Sequence, residues 1–269
     1  MGGNFEKTEA EFQRAMATRE FEKLQSIMEQ WQTQGGSANA SFMREGFNRA
    51  IDDRDAELAK ILVRGGCCVE AGTMKSILKH TADTDDLNLL QAVLDGGFDT
   101  NTYLSGHLGD ALLMAILYRK QPAVELLLSH NADPNRNRRM GSETALEMAA
   151  KVASPAVVEL LLEHGATWKN RAALHYAAMD NRVDVAAVLL RHGQDVNAVS
   201  DDEEIPASYY ERGWGTALHE AARNGHEQMI RFLLEHGIDV SLKDNHGKTA
   251  WEVAADNLDE NVAQLLSAE

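Results

Sequence analysis

Thr216-Ala217-Leu218-His219-Glu220-Ala221-Ala222 decides the fold, because it recurs. Thirty-three residues on stands Thr249-Ala250-Trp251-Glu252-Val253-Ala254-Ala255. Upstream stand Ala172-Ala173-Leu174-His175-Tyr176-Ala177-Ala178 and Thr144-Ala145-Leu146-Glu147-Met148-Ala149-Ala150. Three of these blocks lead into an apolar run closed by glycine, and Thr144 to Gly165, Ala172 to Gly193 and Thr216 to Gly237 all span 21 residues. The chemistry of each piece predicts a helix pair. The threonine suits a helix N-cap, where its side chain satisfies orphan backbone donors. The Ala-Ala pair lets two helices approach closely. Val158 to Leu162, Val188 to Leu190 and Ile230 to Leu234 supply the apolar stripe of a second helix, and the glycine takes the left-handed conformation after it.

The period continues upstream, where the blocks are degenerate. Leu128 back to Leu94 is 34 residues, Leu94 to Leu62 is 32, and Leu62 to Met28 is 34. About eight helix pairs are therefore expected over nearly the whole chain. A single pair cannot bury its own apolar face, so neighbours must stack into a solenoid.

These blocks resemble the ankyrin pattern T-P-L-H-x-A followed by L-L-x-x-G-A-D-V-N. Ala132-Asp133-Pro134-Asn135, Asp195-Val196-Asn197 and Asp239-Val240-Ser241 fill the post-helix signature. The usual proline is replaced by Ala145, Ala173, Ala217 and Ala250. The resemblance implies an all-α solenoid with short hairpin-like fingers. It also implies that His175 and His219 link neighbouring repeats by hydrogen bonds. Residues 1–269 are read as one domain: capping helices in 1–40, degenerate repeats in 41–110, well-defined repeats in 111–247 and a C-terminal capping repeat in 248–269. A chain lacking the first helices, starting at Ser41, is expected to aggregate or melt earlier.

Departures from the period mark where something other than stacking is demanded. Leu146 to Leu174 is only 28 residues, which shortens the finger around 166–171. Leu174 to Leu218 is 44, and the 11 extra residues fall in 200–214: Asp201-Asp202-Glu203-Glu204, then Tyr209, Tyr210 and Trp214. Fixing loop residues costs about 1–2 kcal/mol of backbone entropy each, so an aromatic insert points to a binding site. Replacing Tyr209, Tyr210 and Trp214 together by Ala is expected to weaken binding with little change in melting temperature.

Composition narrows the function. The chain carries 26 Lys plus Arg against 42 Asp plus Glu, a formal charge of -16. That argues against nucleic-acid and anionic-membrane binding, which need a positive field, and suits a partner with basic segments. No apolar run approaches a membrane span, and the Met1-Gly2 start carries Glu6 where a myristoylation signal needs Ser or Thr. Adjacent Cys67 and Cys68 and the absence of a leader predict a reduced compartment, cytoplasmic or nuclear. No spacing of His and Cys suits a metal, no phosphate loop or nucleophile elbow is present, and no cofactor or catalytic residue is assigned.

The resemblance places the ligand surface on finger tips and the exposed end of each first helix. Carried across, those helix positions are Leu117 and Tyr118, Lys151 and Val152, Met179 and Asp180, Arg223 and Asn224, Asp256 and Asn257. The fingers add Arg136, Arg138, Arg139, Trp168, Lys169 and Arg171. Tyr118, Arg136, Arg138, Arg139, Lys151, Trp168, Met179, Asp180, Tyr209, Tyr210, Trp214 and Arg223 form the candidate site. The expected function is a non-catalytic scaffold that binds a protein or peptide on its concave face. The competing reading is a small-molecule binder or cyclase-like enzyme, with the insert closing a pocket lined by Tyr176, Tyr209, Tyr210 and Trp214, and with Asp180, Glu220, Arg139 or His107 as polar groups. His164, His192 and His236, each before a turn glycine, are read as helix-end scaffold.

Overall fold

A computed structural model describes residues 2–37, 40–104, 109–136, 144–167, 172–199, 207–257 and 260–267. They form two compact units, Met1–Ser105 with Asp110–Ala132 and Gly106–Gly109 with Asp133–Glu269. Among the described residues the secondary structure is helical apart from isolated bridge positions.

Among its described residues the first unit contains four helix pairs: α1 (Gly2–Thr18) with α2 (Phe21–Thr33), α3 (Ser41–Asp52) with α4 (Ala56–Arg64), α5 (Ala71–Thr84) with α6 (Asn88–Asp95), and α7 (Ala111–Leu117) with α8 (Gln121–Ser129). First helices pack on first helices, α1 on α3, α3 on α5 and α5 on α7, and second helices follow the same rule. The periodic residues Met28, Leu62, Leu94 and Leu128 are all buried, so the degenerate half keeps the packing that its spacing predicts. At the N-terminal end, Phe42 meets Phe12 edge-on at 4.9 Å and Trp31 at 5.5 Å.

The second unit repeats the plan with α9 (Ala145–Val152) and α10 (Pro155–Glu163), α11 (Ala173–Met179) and α12 (Val183–Arg191), α14 (Ala217–Arg223) and α15 (Glu227–Glu235), and α16 (Ala250–Asp256) and α17 (Glu260–Ser267). A short helix, α13 (Ala207–Glu211), stands inside the insert. The stack runs α9, α11, α14, α16 along one side and α10, α12, α15, α17 along the other.

Local chemistry explains the ends. Thr144 and Thr249 cap their helices, and Glu147 and Glu252 return a bond to the backbone N–H of the cap, a reciprocal box that satisfies two donors. In α14 a histidine replaces that glutamate. His219 Nδ1 accepts the Thr216 N–H at 3.0 Å, which leaves the proton on Nε2 to bond Lys248 O at 3.0 Å in the next repeat. His175 bonds Gly215 O in its own next repeat at 2.7 Å. Both histidines therefore link neighbouring repeats, as the resemblance implies. His164 and His236 donate from Nδ1 to the carbonyl four residues earlier, at 2.8 and 2.7 Å. His192 instead pairs with Glu159.

The fingers are turned by aspartate. Asp99, Asp133, Asp195 and Asp239 each accept, at 2.9 Å, the backbone N–H two residues on. The Asp99 copy belongs to the degenerate half, and the recurrence of Asp-x-Asn at 99–101 was its available signal in the sequence. Neighbouring fingers are tied through the asparagine: Asn135 Nδ2 donates to Gly165 O at 2.8 Å, and Asn197 Oδ1 accepts from Asp239 N at 2.7 Å.

Candidate functional site

The described part of the insert, residues 207–214, is seated on the first helices of the second unit. Gly213 has φ +94°, and a Cβ there would lie 2.6 Å from Asp244 Oδ2, so only glycine fits. The next finger then grips the chain with one residue. Asn245 Oδ1 accepts from Trp214 N at 2.6 Å, Asn245 N donates to Trp214 O at 3.0 Å, and Asn245 Nδ2 donates to Tyr210 O at 3.0 Å. Arg223, at the end of α14, donates from Nη2 to Gly213 O at 2.6 Å.

The aromatic residues form one cluster. Trp214, 2% exposed, stacks on His175 with centroids 4.9 Å apart and planes at 14°. Tyr209 lies 5.7 Å from Trp214 and 6.2 Å from Tyr176. Lys151, at the end of α9, puts Nζ 3.7 Å above the Tyr176 ring, and the Arg212 guanidinium lies 4.5 Å from the Tyr209 centroid. Lys151 thus joins α9 to α11, and its Nζ also lies 5.9 Å from the Tyr209 ring, which ties the insert to α9. Tyr210, next to Tyr209 on α13, is 42% exposed, while Tyr209, Lys151 and Arg212 are half-buried.

A buried charge cluster lies beneath. Glu220 in α14 is fully buried and meets Arg212 Nη2 at 2.7 Å and Arg223 Nε at 3.8 Å. Arg223 also lies 3.8 Å from Asp244. Burial pushes the Glu220 carboxyl above its ordinary value, against the pull of the two arginines, and the Asp244 charge adds to the rise. Burial lowers His219, with its hydrogen bond to Lys248 and the Asp244 charge opposing.

The candidate residues from the sequence are distributed as follows. Lys151, Met179, Tyr209, Trp214 and Arg223 come together here, with Met179 Sδ 3.8 Å from Arg212. Tyr210 is the exposed ring and Asp180 is an exposed C-cap of α11. Trp214 is packed beneath the insert, so its ring offers almost no surface. Arg136 is exposed in a finger of this unit, and Tyr118, half-buried, ends α7 in the first unit. Arg138, Arg139, Trp168, Lys169, Arg171, His107 and the acidic run 201–204 lie outside the described residues. Arg212 and Asn245 were not among the candidates, and nothing local distinguishes them.

Comparison with known proteins agrees with the repeat assignment. A family model described as "Ankyrin repeats (3 copies)" matches residues 112–200 and 205–269, and one described as "Ankyrin repeats (many copies)" matches 174–234. The chain is 32% identical over 143 residues to the E3 ubiquitin-protein ligase KEG of Arabidopsis thaliana, covering 46% of this chain and 8% of that protein. It is 34% identical over 116 residues to the ankyrin repeat and SOCS box protein 11 of Danio rerio, covering 41% and 36%. It is 36% identical over 94 residues to Rabankyrin-5 of Mus musculus, covering 35% and 8%. The chain thus spans a minor part of the length of each of these relatives.

Proposed function

The chain belongs to the ankyrin-repeat family, whose repeats generally mediate protein–protein interaction, and from that premise we propose that it is a non-catalytic scaffold for a protein or extended peptide. The partner docks on the first-helix face of the second unit, with Tyr210, Tyr209, Lys151 and Arg212 at the centre. The acidic run Asp201-Asp202-Glu203-Glu204, shortly before Tyr209 in the sequence, favours basic segments in the partner. The observation that carries the reading is the seated insert. A stretch the repeats do not need is anchored to three first helices and a finger, yet it leaves a tyrosine 42% exposed at its crest. Rigid aromatic residues beside cations are the groups that dominate binding hot spots. The competing small-molecule reading needs these rings to line an enclosed space. Here ring packs on ring at 5.7 to 6.5 Å, which favours a protein partner. Compartment, cytoplasmic or nuclear, belongs to the same proposal. Among the described residues no helix is long and apolar enough to cross a membrane.

Affinity enrichment with quantitative mass spectrometry tests the proposal, comparing the natural chain with Tyr210→Ala and Lys151→Glu. A specific partner should fall by at least about 2 kcal/mol of binding energy with the Tyr210 variant. Reversing Asp201 and Asp202 should act more weakly and mostly at low salt, because exposed charges are screened. Retention of every specific partner by both single variants refutes the site.

A further inference from the structure

The fifth position of each repeat block is a packing slot. Met148, Tyr176 and Val253 fill it in three blocks of the second unit, at 4%, 3% and 3% exposure. In the third block along the chain the slot holds Glu220, at 0%. A carboxylate in a slot that the stack otherwise fills with apolar or aromatic groups is costly unless it is paired. Its close partner is not part of any repeat. Arg212 comes from the insert, and its Nη2 meets Glu220 Oε2 at 2.7 Å, while Arg223 Nε approaches the other oxygen at 3.8 Å. Arg223 in turn holds the insert backbone at Gly213 O, 2.6 Å away. The block that carries the anomalous charge is the block that directly follows the insert.

We infer that Glu220 is a positioning residue for the insert: its buried carboxylate draws Arg212 down and orients Arg223, and through them it seats residues 207–214 with Tyr209 and Tyr210 on the first-helix face. The repeat stack itself does not need the charge. Arg212 is the bridge between the two layers. One end of the guanidinium reaches Glu220 and Met179, and its centre lies over the Tyr209 ring. Without Glu220, the arginine side chain, already 33% exposed, turns to water, and the Tyr209 ring loses its cation. The insert is then left with the Asn245 clamp and the Trp214 packing.

This inference rests on the proposed binding site only for its consequence in partner binding; the seating itself is measured without a partner. The test substitutes Glu220→Met, the residue of the same slot in the first block, and Glu220→Gln, which keeps shape and a hydrogen-bond acceptor. Hydrogen exchange of amides 207–214 and tryptic cleavage after Arg212, followed by mass spectrometry in the full chain, report the seating. The melting temperature reports the stack. Glu220→Met is expected to speed exchange and cleavage at the insert at least about tenfold while the melting temperature holds, because Arg212, 33% exposed, can turn to water and Arg223 keeps Asp244 and Gly213 O, so neither cation is left buried without a partner. Glu220→Gln is expected to fall between. Unchanged protection of 207–214 in both variants overturns the inference. So does a Glu220→Gln chain that melts early with its insert still protected, since that marks Glu220 as a support of the stack. Released insert with undiminished partner binding sustains the inference and removes the insert from the proposed binding site.

Discussion

Trp214→Ala and Tyr210→Ala, made separately, divide anchoring from recognition. Trp214 is 2% exposed, stacked on His175 and covered by Tyr209. Truncating a buried tryptophan removes its apolar contacts and leaves a cavity that the surroundings refill only in part, which costs about 3–5 kcal/mol. Tyr210 differs in every respect. It is 42% exposed, and the bond from Asn245 goes to its backbone carbonyl, which alanine retains. Its loss should change stability by under about 0.5 kcal/mol. Urea unfolding followed by circular dichroism, with midpoint and slope fitted for each variant, measures both numbers. Fluorescence serves as a second probe, because repeat stacks lose two-state behaviour when their neighbours uncouple. A Trp214 variant that loses under about 1 kcal/mol would show that the seated insert is not part of the folded stack. A Tyr210 variant that loses more than about 1 kcal/mol would show a scaffold role for that ring. The result bears on the sequence-based expectation that all three aromatic residues of the insert can be removed with little change in melting. Burial makes Trp214 the exception.

Leu233, fully buried on α15 between α12 and α17, should cost about 2–5 kcal/mol when changed to Ala, and a urea-measured loss below about 0.5 kcal/mol would mean that the repeat register is wrong. His219 is held below its ordinary value by burial, so the fold keeps it neutral while the unfolded chain takes up a proton as pH falls through about 6.5. Its contribution is therefore complete above that pH and is lost progressively below it. Gln at this position can accept from Thr216 N and donate to Lys248 O, so His219→Gln should lose less stability than the natural chain between pH 7.5 and 5.5; equal losses in urea midpoints would sink the idea. Burial pushes the Cys67 thiol up to about 12 while Cys68 is exposed. Iodoacetamide at pH 8 should therefore alkylate Cys68 alone in the folded chain and both residues in urea, and native labelling of Cys67 would refute the packing of that finger.

The repeat unit was legible in the sequence because its determinants are local and periodic. Thr144 to Glu147, Asp133 to Asn135 and His164 to Leu160 interact within four residues, so each copy announces itself wherever it stands. The apolar period carried further than the motif, which is why Met28, Leu62, Leu94 and Leu128 marked buried positions in pairs whose blocks had decayed. The insert was legible only as an excess of length with aromatic residues in it. Its docking depends on Trp214 with Asn245, 31 residues apart, and on Arg212 with Met179, 33 apart, and contacts at that range leave no spacing to read. Composition assigned Tyr209, Tyr210 and Trp214 one role, because rings in a loop look alike in sequence. The stack then buried one and exposed another, since which ring reaches His175 is settled by the seating of α13 and the turn at Gly213. Glu220 shows the same division: the sequence places it in a packing slot, and only the arginine that the tertiary structure brings to it makes a charge there tolerable.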